Sequence, residues 1–194
     1  YLMRIVFMGN PQFAIPTLKK LLDSSHKVVG VVSNPPKAMG RGQNLQSTAV
    51  GKYARNHDLN LIEVKSLKSP HVYSKLASLN PDIFVVVAYR ILPQSLIELP
   101  KFGAVNLHAS LLPKYRGAGP IQWALMNGDK STGVTIFQIS KIVDTGAILI
   151  QKEFEIDCND NLLTLAQRLC TDGASLMIKA LKGINDGSIK PIFQ

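Results

Sequence analysis

In the segment VNLHASLLPKYRGAGPI, Val105 to Ile121, an amide, an imidazole and a hydroxyl recur at every second position: Asn106, His108 and Ser110. On a β-strand these three share one face, while Val105, Leu107 and Ala109 turn to the other. An amide N–H can stabilise a developing oxyanion. An imidazole can give or take a proton near neutral pH. Pro113 ends any ladder, and Lys114, Tyr115, Arg116 and Gly117 open a basic loop that Pro120 closes. An isolated histidine is more often a satisfied core residue, but His108 has polar neighbours on its own face at a strand end, which points to a site. Asp144, in Val-Asp-Thr-Gly, has by default the role of a turn aspartate. Its chemical use would be to fix and charge the His108 ring or to hold a water. Ser110, His108 and Asp144 are the residue types of a triad. No GxSxG elbow accompanies them, and two strand neighbours side by side suit a shared pocket better than a proton relay.

The elements that would position these residues follow an α/β pattern. RIVFM, residues 4–8, reads as a buried strand, followed by a helix with Pro16 in its first turn and an apolar stripe from Phe13, Leu18, Leu21 and Leu22. A second strand over 28–32 completes a βαβ unit, hence a parallel sheet with a right-handed crossover. Residues 34–47 (NPPKAMGRGQNLQS) lack apolar periodicity and read as a long loop with Lys37 and Arg41 near its tip. Helices are expected over 48–56 and 69–79, a short strand over 60–64, and a central strand over 82–88, whose DIFVVVA is apolar on both faces. The strand carrying Asn106 and His108 comes next, then a helix over 120–127. Strands over 134–139 and 147–156, joined through Asp144-Thr145-Gly146, predict an antiparallel addition. A long amphipathic helix over 160–182 is expected to stop at Gly183. The fold class is therefore α/β: a Rossmann-like, mostly parallel sheet with helices on both faces. Its domain occupies residues 1–184, and 185–194 form a tail or linker.

With 194 residues, 46% hydrophobic and 18% charged, the chain can bury one large core. A net charge of +9 favours an acidic partner, whether nucleic acid, a phosphorylated ligand or a polyanionic cofactor tail. Cys158 and Cys170 form no CxxC and have no nearby histidine, so neither a zinc site nor a redox pair is indicated, and a reducing cytoplasm suits them. No apolar run approaches the roughly 20 residues of a membrane span, and no signal-peptide pattern opens the chain. The first turn, Gly9-Asn10-Pro11-Gln12-Phe13-Ala14, offers one glycine where a dinucleotide fingerprint needs three, which argues against nicotinamide or flavin. A Walker loop is absent.

Taken together, NLHASLLPKYRGAGPIQWAL, TGVTIFQISKIVDTG, the opening IVFMGNPQFAIPTL, the loop NPPKAMGRGQNL, VVVAYRILP and the closing KPIFQ resemble the folate-dependent formyltransferases, most closely the branch acting on methionyl-tRNA. The resemblance covers nearly the whole chain. It implies transfer of a formyl group from 10-formyltetrahydrofolate, a co-substrate, to the amino group of methionine on initiator tRNA, with no metal. It also implies a catalytic trio at Asn106, His108 and Asp144, and folate contacts at Ser110, Leu111, Leu112 and Pro113, with Tyr89 and Ile91 on the neighbouring loop. Lys37 and Arg41 match the tRNA-facing insertion. The implied setting is cytoplasmic, with initiator methionyl-tRNA as partner, a monomeric state and no membrane association. One departure concerns the loop after Tyr89, where Arg90 alone precedes Ile91-Leu92-Pro93; this is closer to glycinamide ribonucleotide formyltransferase.

Rival readings are a sugar-nucleotide or glycinamide ribonucleotide formyltransferase, a formyltetrahydrofolate hydrolase in which water replaces the amine, and a non-catalytic RNA-binding module.

Overall fold

The computed structural model describes residues 2–39 and 44–194. In chain order the elements are β1 (Arg4–Gly9), a 3-10 turn (Gln12–Ala14), α1 (Ile15–Leu22), β2 (Lys27–Ser33), β3 (Lys37–Met39), β4 (Asn44–Gln46), α2 (Ala49–Asn56), β5 (Leu61–Glu63), α3 (Pro70–Ser78) and β6 (Ile83–Val87). They continue with α4 (Gln94–Ile97), β7 (Ala104–His108), α5 (Pro120–Met126), β8 (Ser131–Gln138), β9 (Ile148–Glu155) and α6 (Leu162–Asp186). The main sheet runs β5-β2-β1-β6-β7-β8-β9. Its members from β5 to β7 pair in parallel, and β8 is antiparallel to both β7 and β9. The α/β expectation, including the antiparallel addition, is met.

Alternation along the central strands divides the core into two layers. Phe7, Val85, Val87, Val105 and Leu107 pack with Leu18, Leu169 and Met177 on the face covered by α1 and α6. Met8, Phe84, Val86 and Ala104 pack with Leu76 and Leu96 on the opposite face. Strands covered on both sides are apolar at every position, the reason IFVVV carries no alternation. Removing each such large side chain from water contributes about 1.5–3 kcal/mol. The same parity places Asn106 and His108 on the face of Ala104.

Three features depart from the sequence reading. The 34–47 loop contains a small antiparallel hairpin, with Lys37 opposite Gln46 and Ala38 opposite Leu45. Its β4 residues are exposed, and without a buried face no periodicity marks it. Arg41 lies outside the described residues. Gly183 does not end α6, which continues to Asp186 and stops at Gly187, in the left-handed region at φ +72°. Gly183 is instead buried against Ile189, where an added Cβ would come 2.8 Å from Ile189 Cβ. Finally, the segment after α6 returns to the sheet, and Ile192 bridges antiparallel to Ile148.

Candidate active site

The sheet order reverses beside β1, where β2 and β6 lie on either side of it. In open α/β sheets the crevice beyond the strand carboxyl ends at such a point is the natural ligand site. There a cavity of about 600 Å³ is lined by Phe13, residues 88–92 after β6, Asn106 to Ala109 of β7 and its exit, residues 117–122, and Phe137, Ile139, Val143 and Asp144.

His108 is nearly buried at 7% exposure. Its Nε2 stands 2.8 Å from the Tyr115 carbonyl oxygen, which can only accept, so Nε2 carries a proton. The phenol of Tyr115 fixes that carbonyl's loop by donating to Asp129 Oδ2 at 2.8 Å and accepting from Asn127 Nδ2 at 2.9 Å. Phe137 meets the imidazole edge-on, with ring centroids 6.4 Å apart. The other ring nitrogen, Nδ1, lies 3.7 Å from Asp144 Oδ2.

Asp144 adopts φ +52° in the loop between β8 and β9, a conformation that costs a non-glycine residue roughly 1–2 kcal/mol. The loop is shaped by Ser140 Oγ and Thr145 Oγ1, both donating to the Ile142 carbonyl. Asp144 Oδ2 accepts the Gly117 backbone N–H at 2.7 Å. Asn106 is half-buried on the cavity wall, and among the described residues its amide forms no hydrogen bond. An amide donor, an imidazole and a carboxylate therefore converge on one cavity.

The residues after His108 are placed differently. Ser110 is fully buried, and its Oγ donates to the Lys114 carbonyl at 2.6 Å. Thr135 Oγ1 donates to the Ser110 carbonyl and accepts the Leu112 N–H, while Gln151 Nε2 donates to the Leu112 carbonyl and to Thr135 Oγ1. Leu111 covers Gly133, where an added Cβ would be 2.3 Å from its Cδ2. Ser110, Leu111, Leu112 and Pro113 thus stand outside the cavity lining and staple the basic loop to β8 and β9. Tyr89 and Ile91 do line it. Burial pushes the Tyr89 phenol above its ordinary value, against the pull of Arg90. Arg90 ties this wall to the end of β5, donating to the Val64 and Lys65 carbonyls and to Tyr89 Oη at 2.7–2.8 Å. Lys37 lies in β3 and is exposed.

The sequence profile described as formyl transferase matches residues 3–181. The chain belongs to the formyl transferase family. Family relatives named methionyl-tRNA formyltransferase include those of Thermodesulfovibrio yellowstonii, 48% identical over 188 residues, and Kosmotoga olearia, 48% identical over 189 residues. These matches cover 96% and 97% of the chain, which spans 61% of the length of each relative. The family fold recurs in the crystal structure of glycinamide ribonucleotide transformylase 1 from Symbiobacterium toebii, at a TM-score of 0.81 and 18% identity, covering 98% of this chain and 94% of that one. No helix among the described residues is long and apolar enough to cross a membrane.

Several contributors to this arrangement carried no signal in the sequence. The Tyr115 carbonyl and the Gly117 N–H act through backbone atoms. Thr135 and Gln151, on neighbouring strands, gave no motif; only a polar residue inside the apolar run VTIF marked Thr135.

Proposed function

We propose that this chain transfers the formyl group of 10-formyltetrahydrofolate to the amino group of methionine on initiator methionyl-tRNA, in the cytoplasm, with residues 1–184 as the catalytic unit. The observation that carries this reading is the 48% identity, over nearly the full chain, to relatives bearing that name. The site supplies chemistry to match. The amine attacks the formyl carbon, and negative charge develops on the formyl oxygen. Asn106 Nδ2 and a protonated His108 Nδ1, on two residues that line the cavity, would be the donors for that charge. Asp144, with Oδ2 committed to Gly117, stabilises the imidazolium from 3.7 Å. Its other oxygen is left for a water that carries the proton from the amine to the departing folate nitrogen. The wall formed by Tyr89, Ile91, Leu92 and Phe137 would receive the folate ring system, while Ser110 to Pro113 would act from behind by holding the Lys114–Gly117 loop. Lys37 and Arg41 supply positive charge for the tRNA phosphates.

The test offers four reactions, each with 10-formyltetrahydrofolate: charged initiator tRNA, an amino-sugar nucleotide, glycinamide ribonucleotide, or no acceptor. Formylmethionyl-tRNA as the dominant product supports the reading. Preferential formylation of either small acceptor, formate release without any acceptor, or RNA binding without folate binding each replaces it with the corresponding rival.

A further inference from the structure

The chain beyond α6 returns to the candidate site. Ile192 N–H donates to the Ile148 carbonyl at 2.8 Å and Ile148 N–H to the Ile192 carbonyl at 2.7 Å. In an antiparallel register this exchange carries the residue two places further on, Gln194, opposite Gly146. There Gln194 uses both ends of its carboxamide. Nε2 donates to the Gly146 carbonyl at 2.7 Å and the Asp144 carbonyl at 3.1 Å, while Oε1 accepts from Arg116 Nη2 at 2.9 Å and Nε at 3.3 Å. Arg116 Nε also reaches the Asp144 carbonyl, at 3.1 Å. One residue on, the Gly117 N–H holds the Asp144 carboxylate itself.

A residue held in the left-handed region by its surroundings relaxes when they loosen. Asp144 is such a residue, and the carbonyl of its strained backbone is gripped by two side chains, one of which belongs to a segment 50 positions away. We propose that Gln194 is a positioning residue for Asp144, clipping the turn that carries the carboxylate to the loop that presents Tyr115 and Gly117. Only the kinetic arm of the test rests on the formyl-transfer reading. A glutamate at 194 could still pair with Arg116 but would turn an acceptor toward the Gly146 and Asp144 carbonyls, so it breaks the clip as alanine does.

The experiment compares the whole chain with its Gln194→Ala and Gln194→Glu variants, using Phe193→Ala as control because Phe193 is 88% exposed. The amide resonance of ¹⁵N-labelled Gly117 reports the Asp144 carboxylate directly, whatever the reaction. It should shift in both Gln194 variants and not in the control, while the thermal unfolding midpoint stays within a degree or so. With charged tRNA and 10-formyltetrahydrofolate, kcat should fall about tenfold with KM nearly constant, a loss within the range that misplaced groups cause. An unmoved Gly117 resonance in both variants overturns the inference, whether or not stability changes. A wild-type chain that transfers no formyl group would instead count against the functional reading and leave the Gly117 measurement to decide this one.

Discussion

His108 Nδ1 stands 3.7 Å from Asp144 Oδ2, beyond hydrogen-bond reach but within ion-pair distance. Each partner is anchored elsewhere, His108 by the Tyr115 carbonyl and Asp144 by the Gly117 N–H, so the gap is set by two backbone groups of one loop. Replacing the carboxylate by an amide keeps an acceptor for Gly117 and removes the charge. Asp144→Asn should therefore lower kcat for formyl transfer by roughly a hundredfold, as should Asn106→Ala and His108→Ala, the usual size of acid–base and oxyanion contributions. Steady-state kinetics with charged tRNA checks this. Normal turnover in any of the three removes that residue from the mechanism.

The fold was legible where burial imposes a period. Continuous apolar runs marked β1 and β6, and the turn residues around Asp144 separated β8 from β9. The polar face of β7 is visible in the spacing of Asn106 and His108. Elsewhere residue type underdetermines geometry. Gly183 has the composition of a helix stop, yet its missing side chain serves a close contact with Ile189, and only the packing distinguishes the two uses. Ser110 continues the alternation of Asn106 and His108 past the end of β7, and once the strand ends, parity no longer sets direction. The returning tail depends on two backbone hydrogen bonds at Ile192, which a sequence pattern does not encode.

Charge in the 34–47 segment should act on tRNA and leave the co-substrate alone. Lys37→Ala combined with Arg41→Ala is expected to raise KM for charged tRNA several-fold and to reduce the salt dependence of tRNA binding by about one to two in log–log slope. Affinity for 10-formyltetrahydrofolate should be unaltered. Titrations at several salt concentrations measure both quantities, and an unchanged slope would separate Lys37 and Arg41 from RNA contact.

Acid should weaken the fold through His26. Its Nδ1 accepts the Met3 N–H at 3.4 Å, which requires an unprotonated nitrogen. Burial holds His26 below the ordinary 6.5. The unfolded chain therefore takes up this proton first as pH falls. The contribution is present above about pH 6.5 and is lost as pH drops from there through the lowered folded value. Denaturant midpoints measured from pH 7.5 to 5 should decline, and His26→Asn should flatten that decline relative to the wild type. A profile of equal steepness in the variant would exclude His26 as a source.

Gly183→Ala sets two opposed effects against each other. Inside a helix, alanine is ordinarily more stable than glycine by about 1 kcal/mol. At this site the new Cβ would arrive 2.8 Å from Ile189 Cβ, less than van der Waals contact, so the tail must shift. Ile189 leads to Ile192 and Gln194, and its displacement should loosen the bridge to Ile148 as well. The expected result is a variant whose global unfolding midpoint is equal to or above that of the wild type, while residues 188–194 become more accessible to limited proteolysis. Amide exchange at Ile148 and Ile192 should quicken with it. Protection of the tail at the wild-type level would mean that Ile189 adjusts without moving its neighbours, and that the packing seen at Gly183 does not hold the returning segment in place.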